Sequence, residues 1–178
     1  MEVSKDKKSK IMKELRLSKV VLNCGAKGEK LERATKLLKL ITGSEPKHTK
    51  SKVRIPAFGI RPGLEIGCKV TLRGKKAFDM AKKLLEAVDN RLNKKNIGKG
   101  FVNFGIREYI EIPGITFQRD IGILGLDVSI VLERPGFSIK RKKSKRKIPA
   151  RHKIGREETA AFMEKYFNVK IEAKQTKE

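Results

Sequence analysis

Residues 49–76 read TKSKVRIPAFGIRPGLEIGCKVTLRGKK and contain the clearest structural pattern of the chain. From residue 64 to residue 73 apolar and polar residues alternate without a break. This period predicts a half-buried strand, because successive strand side chains point to opposite faces. The apolar side holds Leu64, Ile66, Cys68, Val70 and Leu72, and the other side holds Glu65, Gly67, Lys69, Thr71 and Arg73. The pattern therefore predicts a strand with one polar, mostly basic face.

A basic loop leads into this strand. Its cations are Lys50, Lys52, Arg54 and Arg61, and they are separated by the turn-forming residues Pro56, Gly59, Pro62 and Gly63. A rigid basic strand preceded by a basic loop offers a polyanion both a flat surface and a projecting segment. We interpret this combination as a binding surface for structured RNA.

Composition points to the same class of partner. The chain has 178 residues, which is the length of about one domain, and its net charge is +24. Such an excess of cations favours nucleic acid as the partner. A basic membrane-surface protein is less well supported, because no stretch joins basic residues to a strong apolar helical face. The charged N-terminal segment has no apolar core of a secretory signal, so we expect a cytoplasmic protein.

Four further elements follow from periodicity. Residues 19–24 predict a strand, residues 29–41 a helix that ends at Gly43, and residues 75–92 a second helix. Residues 126–132 alternate like the first strand. Together they predict an α+β fold in which helices pack on one face of a curved, largely antiparallel sheet with long basic loops.

The remaining segments carry weaker patterns. Residues 93–105 are interpreted as a loop, residues 106–112 as a strand stopped by Pro113, and residues 114–125 as irregular. Residues 157–167 predict a short helix. Its Phe162, Met163, Tyr166 and Phe167 are expected to pack on the body, and Val169, Ile171 and Ala173 to form a last edge strand.

The character of the chain changes at residues 134–156, a segment that we call the insert. It holds eleven Lys or Arg and no Asp or Glu, and residues 140–147 are basic at every position except Ser144. A solvated basic loop or a nuclear-import signal is one interpretation. Ordering against phosphates explains so dense a run between a strand and a helix better.

No pattern of a catalytic, metal or cofactor site is found in the sequence. His48 and His152 stand among basic residues, where contact with phosphate or solvent is expected, and no carboxylate pair accompanies a nucleophile. Residues 98–100 (Gly-Lys-Gly) lack the full pattern of a phosphate-binding loop. Cys24 and Cys68 lie on the apolar sides of predicted strands without a zinc spacing, so buried reduced thiols are expected. We therefore predict a non-enzymatic protein.

Several motifs together resemble the universal L-five family of large-subunit ribosomal proteins, in its archaeal and eukaryotic branch. The similarity is collinear over about residues 15–167. We expect residues 1–178 to form a single RNA-binding domain with a charged N-terminal segment. The motifs are LSKVVLNCGAKGEK, LLKLITGSEP, TKSKVRIPAFGIRPG, IGCKVTLRG, FGIREYIEIPGI, IGILGLDVSIVLERPGFSIKRKK and HKIGREETAAFMEKYF.

The resemblance implies that the protein is a non-catalytic component of the ribosome and lies in the central protuberance of the large subunit. The implied partners are 5S rRNA, 23S-type rRNA, P-site tRNA, the neighbouring 5S-binding ribosomal protein and a small-subunit head protein across an intersubunit bridge. Family positions that bind 5S rRNA correspond to Asn23, Thr71 and Ser44. At the position of Ser44, relatives often have Gln. Arg61 matches a further basic family position.

The candidate site residues form three groups. Lys69 and Arg73 share the polar strand face with Thr71 and join the 5S rRNA group. The loop that approaches tRNA in the family corresponds to Lys50, Lys52, Arg54, Pro56 and Phe58. Further rRNA phosphate contacts are expected from Lys140, Arg141, Lys142, Lys143, Lys145, Arg146, Lys147 and Arg151.

Two other classes of protein stay open on the residues alone. A DNA-architectural protein would bind duplex DNA as tightly as folded RNA. A basic protein-docking module would keep its partner after nuclease treatment.

Overall fold

The computed structural model describes residues 11–144 and 146–172. Its main feature is an open sheet of five strands in the order β2-β3-β1-β6-β5, and every neighbouring pair is antiparallel. The strands are β1 (Arg16–Gly25), β2 (Lys47–Lys50), β3 (Glu65–Leu72), β5 (Phe101–Ile106) and β6 (Leu126–Glu133). A separate two-stranded sheet pairs β4 (Arg91–Asn93) with β7 (Lys170–Glu172).

Among the described residues, three helices cover one side of the sheet: α1 (Glu29–Thr42), α2 (Lys75–Glu86) and α3 (Arg156–Phe167). Their buried side chains join those of the strands in one continuous apolar core. In β1 the residues Val20, Leu22 and Cys24 are almost fully buried, as the alternation predicts. The predicted α+β class, with helices against an antiparallel sheet, is confirmed.

The predicted strand at residues 64–73 is confirmed as β3, with one difference at its start. Cys68, Val70 and Leu72 are buried, but the Leu64 side chain is 41% exposed and precedes the first paired residue. The Leu64 amide instead closes a turn by donating to the Arg61 carbonyl. Leu64 therefore belongs to the loop and not to the core.

The second helix is shorter than predicted. It ends at Glu86, and Asp89 and Asn90 adopt left-handed backbone conformations with φ of 52° and 54° that break the helical path. Leu92 was predicted on the apolar stripe of this helix. It is buried on β4 instead, where it pairs in parallel with Ile171.

The region after this helix corrects two further predictions. Phe101–Ile106 is strand β5 and not a loop, and its Val102, Phe104 and Ile106 side chains are buried. The strand predicted at residues 106–112 is wrong, since Tyr109–Glu111 form a turn of 3-10 helix. Antiparallel pairing of β5 with β6 decides the structure here, despite the weak local pattern around the glycines.

The C-terminal helix is confirmed, but two details differ. Phe162, Met163 and Phe167 are buried, whereas Tyr166 is 43% exposed and does not pack into the core. The last strand pairs with β4 and not with an edge of the main sheet. Ala173 and the N-terminal residues 1–10 lie outside the described residues.

Cys24 and Cys68 are free, buried and directly opposite each other on β1 and β3, which confirms the expectation of buried thiols. The Cys24 thiol donates to the Gly125 carbonyl over 3.3 Å. Burial, with smaller contributions from Cys68 and Asp127, raises the pKa of Cys24 from 9.0 to about 11. Burial also raises the pKa of Cys68, against a hydrogen bond from Thr35 that lowers it.

None of the helices in the described part of the chain combines the length and the apolarity that crossing a membrane requires.

The raised pKa of Cys24 and of Cys68 predicts slow alkylation of both cysteines. At pH 8 the rise of the Cys24 pKa to about 11 lowers its thiolate fraction about a hundredfold, and burial limits access further. Iodoacetamide labelling of the native chain, followed by mass spectrometry, should be far slower than labelling in guanidinium chloride. Equal rates in the two conditions would contradict the buried placement of the thiols.

Candidate nucleic-acid interface

The side of the sheet away from the helices, which we call the open face, carries rows of directly opposed side chains. Cross-strand partners lie on the same face, so the register identifies each row. The first row crosses all five strands as Lys47, Lys69, Asn23, Asp127 and Gly105. Lys69 and Asp127 are exposed, and Asn23 is half-buried between them.

A second row consists mainly of small polar groups. It runs through Thr71, Val21, Ser129 and Asn103. Beyond it lie Lys19 and Phe101, each opposite Val131, and Arg73 follows directly after the Leu72–Val20 pair. The structure therefore brings Asn23, Lys69, Thr71 and Arg73 together on one surface.

Charge is distributed unevenly over the open face. The cations Lys47, Lys69 and Arg73 lie on the side of β2 and β3, whereas Asp127 lies on β6. A phosphate is attracted to the first side and repelled from the second. A carboxylate can however accept hydrogen bonds from a ribose hydroxyl or a base amino group.

Two members of the predicted 5S rRNA group lie apart from these rows. Ser44 is in the turn between α1 and β2, where its amide donates to the Thr42 hydroxyl over 3.2 Å. Arg61 is exposed in the loop between β2 and β3. The predicted group is therefore divided between the open face and its surroundings.

Residues 50–63, which we call the arm, form a small closed hairpin. The Ile55 and Ile60 backbones exchange two hydrogen bonds of 2.9 and 3.1 Å around a 3-10 turn at Pro56–Phe58. At its base the Ser51 amide donates to the Leu64 carbonyl over 2.8 Å. The Lys27 ammonium also donates to the Phe58 carbonyl over 2.9 Å.

The arm directs apolar groups as well as cations into solvent. The Phe58 side chain at the tip is 67% exposed and Val53 is 63% exposed. Lys50, Lys52 and Arg54 are exposed beside them. An exposed aromatic ring next to cations can stack on a base while the cations contact phosphates.

The insert is anchored to the fold at its first residue. Arg134 is 9% exposed in its side chain, and its guanidinium lies 2.7 Å from a Glu158 carboxylate oxygen on α3. The other oxygen of Glu158 accepts the Gly155 amide at the start of that helix over 2.9 Å. Arg134 Nε is buried and has no hydrogen-bond partner within the described residues.

The predicted phosphate contacts of the insert differ in their surroundings. Arg141 pairs with Glu133, which also accepts the Ser18 hydroxyl over 3.0 Å. Arg141 is therefore partly neutralised within the chain. The side chains of Lys140, Lys142, Lys143, Arg146, Lys147 and Arg151 are exposed, and Lys145 lies outside the described residues.

Both histidines have intramolecular partners. His48 Nδ1 lies 2.7 Å from a Glu65 carboxylate oxygen. His152 Nε2 lies 2.9 Å from the Pro135 carbonyl, and its ring packs against Phe137 at a tilt of 48°. His48 is also exposed to solvent, and His152 is half-buried.

The Gly-Lys-Gly segment at residues 98–100 is a structural turn. The Gly98 amide donates to the Phe101 carbonyl over 2.8 Å, and the Gly100 amide donates to the buried Thr159 hydroxyl over 3.0 Å. Both glycine amides thus donate hydrogen bonds within the protein. In a phosphate-binding loop they would be free to donate to the phosphate. The described residues also contain no cluster of three His, Cys, Asp or Glu that could hold a metal ion.

Sequence reasoning missed several members of the open face. Lys47, Ser129 and Asn103 were not selected, although the alternation of residues 126–132 was a usable signal for Ser129. Asn103 was missed because β5 was interpreted as a loop. Lys47 is part of a four-residue strand, too short for its period to stand out.

The sequence is similar to those of known ribosomal proteins. A family model described as ribosomal protein L5 matches residues 10–61, and a second model, for the C-terminus of the same ribosomal family, matches residues 65–162. The chain is similar to the large ribosomal subunit protein uL5 of Nanoarchaeum equitans, with 44% identity over 90% of this chain and 97% of the relative. For the Sulfolobus acidocaldarius protein of the same name, identity is 42% over 96% of this chain and 98% of the relative.

Both halves of the chain thus match one family, and its archaeal members align over nearly their whole length. The family is structural and not enzymatic, in agreement with the predicted absence of catalysis. The chain belongs to the uL5 family of large-subunit ribosomal proteins, and it binds rRNA within the ribosome.

Proposed function

We propose that the open face binds 5S rRNA in the central protuberance of the large subunit. The observation that carries this proposal is the uncovered polar surface with Asn23 and Thr71 at its centre and cations along one side. Within the described part of the chain, the core-forming helices pack on the opposite side of the sheet. A rigid, flat surface of this kind suits a folded RNA, which is recognised mainly by shape and ribose hydroxyls.

The uneven charge assigns different tasks to the two sides of this surface. Lys47, Lys69 and Arg73 neutralise phosphates on the β2–β3 side and release counterions. The Asn23 amide and the Thr71 hydroxyl make short hydrogen bonds that fix the register of the RNA. Asp127 keeps phosphates away from β6 and accepts hydrogen bonds from sugar or base groups. Ser44 and Arg61 contribute from the margins of the face.

The arm is proposed to contact P-site tRNA. Its hydrogen-bonded hairpin holds Phe58 at the tip with Pro56 in the same turn, and Lys50, Lys52 and Arg54 lie along its side. Because the hairpin is closed by its own hydrogen bonds, little backbone entropy is lost when it docks.

The insert is proposed to bind 23S-type rRNA through phosphate contacts of its lysines and arginines. The ion pair between the largely buried Arg134 and the exposed Glu158 fixes its beginning to α3, so the cations are presented from a defined position. We also propose that this chain contacts the neighbouring 5S-binding protein and a small-subunit head protein. Exposed apolar side chains outside the open face, such as Ile123, offer surface for such contacts.

Replacing Asn23 or Thr71 by alanine should weaken 5S rRNA binding by about 1–2 kcal/mol each, the cost of losing a hydrogen bond to a buried partner. The salt dependence should stay nearly unchanged, because no cation is removed. Filter binding across a salt series measures both quantities. Asn93→Ala and Thr116→Ala, on exposed positions away from the open face, serve as matched controls.

Wild-type affinity in both Asn23→Ala and Thr71→Ala would refute the assignment of the open face. Competition with duplex DNA of equal length separates the proposal from a DNA-architectural role, since 5S rRNA should win. Loss of the partner after nuclease treatment excludes a protein-docking module.

Phe58→Ser should speed the dissociation of P-site tRNA from ribosomes, by roughly fivefold for a loss on the order of 1 kcal/mol of stacking. The side chain is exposed, so the fold should be unaffected. Phe117→Ser removes another exposed ring outside the arm and should leave dissociation unchanged. Equal tRNA lifetimes for wild type and Phe58→Ser would argue against the proposed contact.

Replacing Lys142 and Lys143 together by glutamine should flatten the dependence of log K on log salt, by roughly 0.7–0.9 for each phosphate that is no longer neutralised. The measurement uses large-subunit rRNA. The double variant Lys36→Gln, Lys83→Gln removes the same charge from exposed helix positions and is the control. An unchanged slope for the insert variant would show that these lysines are merely solvated.

A further inference from the structure

The insert and the end of β6 enclose a cavity of about 450 Å³. Its floor is apolar and is formed by Leu132 and Ile154, which are buried, and by Phe137 and Ile148, which are half-buried. Its rim is cationic and consists of Lys99, Lys140, Arg146, Lys147 and Lys153. No acidic side chain is found among the described residues that line it.

Internal contacts hold the cavity open. The Phe137 ring packs on His152 with 5.6 Å between ring centroids, and His152 is itself bonded to the Pro135 carbonyl. The Arg146 amide donates to the Ile139 carbonyl over 3.4 Å, which folds the basic run back toward the cavity. Beneath it Gly100 has φ of +82°, and an added Cβ would lie 3.2 Å from Ile154 Cδ1. The floor and the rim are therefore both present before any ligand binds.

The lining restricts the chemistry of an occupant. Five cations without an acid among the lining residues attract an anion. A phosphate alone would leave the aromatic and aliphatic floor uncovered. The volume lies within the range of about 300–1,000 Å³ found for small-molecule sites. The occupant should thus have a flat apolar part and neighbouring negative charges.

We propose that this cavity takes one unstacked nucleotide of rRNA, with its base on Phe137 and its flanking phosphates on the lysine and arginine rim. The proposal rests on rRNA binding by the insert and adds a specific site to it. A base inside a duplex cannot enter, because both of its faces are already stacked. The site therefore selects a bulged or looped nucleotide, which gives the insert a preference that phosphate contacts alone lack.

Phe137→Leu tests the stacking contact, because it keeps an apolar side chain and removes the ring. Affinity for large-subunit rRNA should fall about 5- to 100-fold, as expected for the loss of one stacked base. The salt slope should not change, since no cation is removed. Phe117→Leu makes the same replacement at an exposed position outside the cavity and should leave the affinity at the wild-type value. Thermal melting of both variants checks that they fold.

A second measurement uses the unaltered chain. Ultraviolet cross-linking of the wild-type protein to large-subunit rRNA, followed by mass spectrometry, should join one nucleotide to the peptide that contains Phe137. Cross-links confined to other peptides of the insert would overturn the proposal. So would a fully duplex RNA of equal length that competes as well as the rRNA does.

The result separates this site from the proposed function of the insert. If Phe137→Leu binds like wild type while the Lys142 and Lys143 variant has a flatter salt slope, phosphate binding stands and the nucleotide site is wrong. If the lysine variant also keeps the wild-type slope, rRNA binding by the insert itself is wrong. An acidic peptide that displaces rRNA from wild type but not from Phe137→Leu would assign the cavity to a protein partner, and would overturn the proposal.

Discussion

The register of β1 between β3 and β6 determines which side chains reach the open face. A shift of one residue would send Val20, Leu22 and Cys24 into solvent and bury Asn23, so the buried apolar set specifies the pairing strongly. Gly67 contributes a steric condition, since an added Cβ there would lie 2.8 Å from the Cys24 carbonyl oxygen. The polar surface is thus a consequence of how the opposite side of the sheet packs.

Three basic surfaces are built on this framework in different ways. The open face is part of regular strands and has little freedom to adapt. The arm is a hairpin held by a few backbone hydrogen bonds and one lysine contact. The insert has only short helical turns and is fixed at its ends by Arg134 and Gly155. The chain therefore combines a rigid surface with two segments that are held less extensively.

Much of the fold could be predicted from period alone. The alternation in β1, β3 and β6 and the apolar stripe of α1 identify their buried sides, and the outward position of Asn23 and Thr71 follows directly. β5 was missed because Asn103 and Gly105 interrupt its apolar residues, and only pairing with β6 makes it a strand. Leu92 fits a helical stripe, but Asp89 and Asn90 end the helix before it.

The functional surfaces show the same limit of sequence reasoning. Residues on one strand, such as Lys69 and Thr71, could be grouped by their spacing. The row that joins Lys47, Asn23 and Asp127 depends on cross-strand register, which no local pattern states. The cavity in the insert depends on Lys99 and Ile154 meeting from distant parts of the chain, so it could only be found in the folded structure.

The shortness and charge of β2 have a consequence for the free protein. This strand lies at the border of the sheet, where unpaired backbone groups could recruit a strand from a second molecule. Its sequence, Lys-His-Thr-Lys, places ammonium groups of Lys47 and Lys50 along that border. Two such edges of different molecules repel each other. The cations proposed to bind RNA therefore also hinder aggregation of the protein before it enters the ribosome.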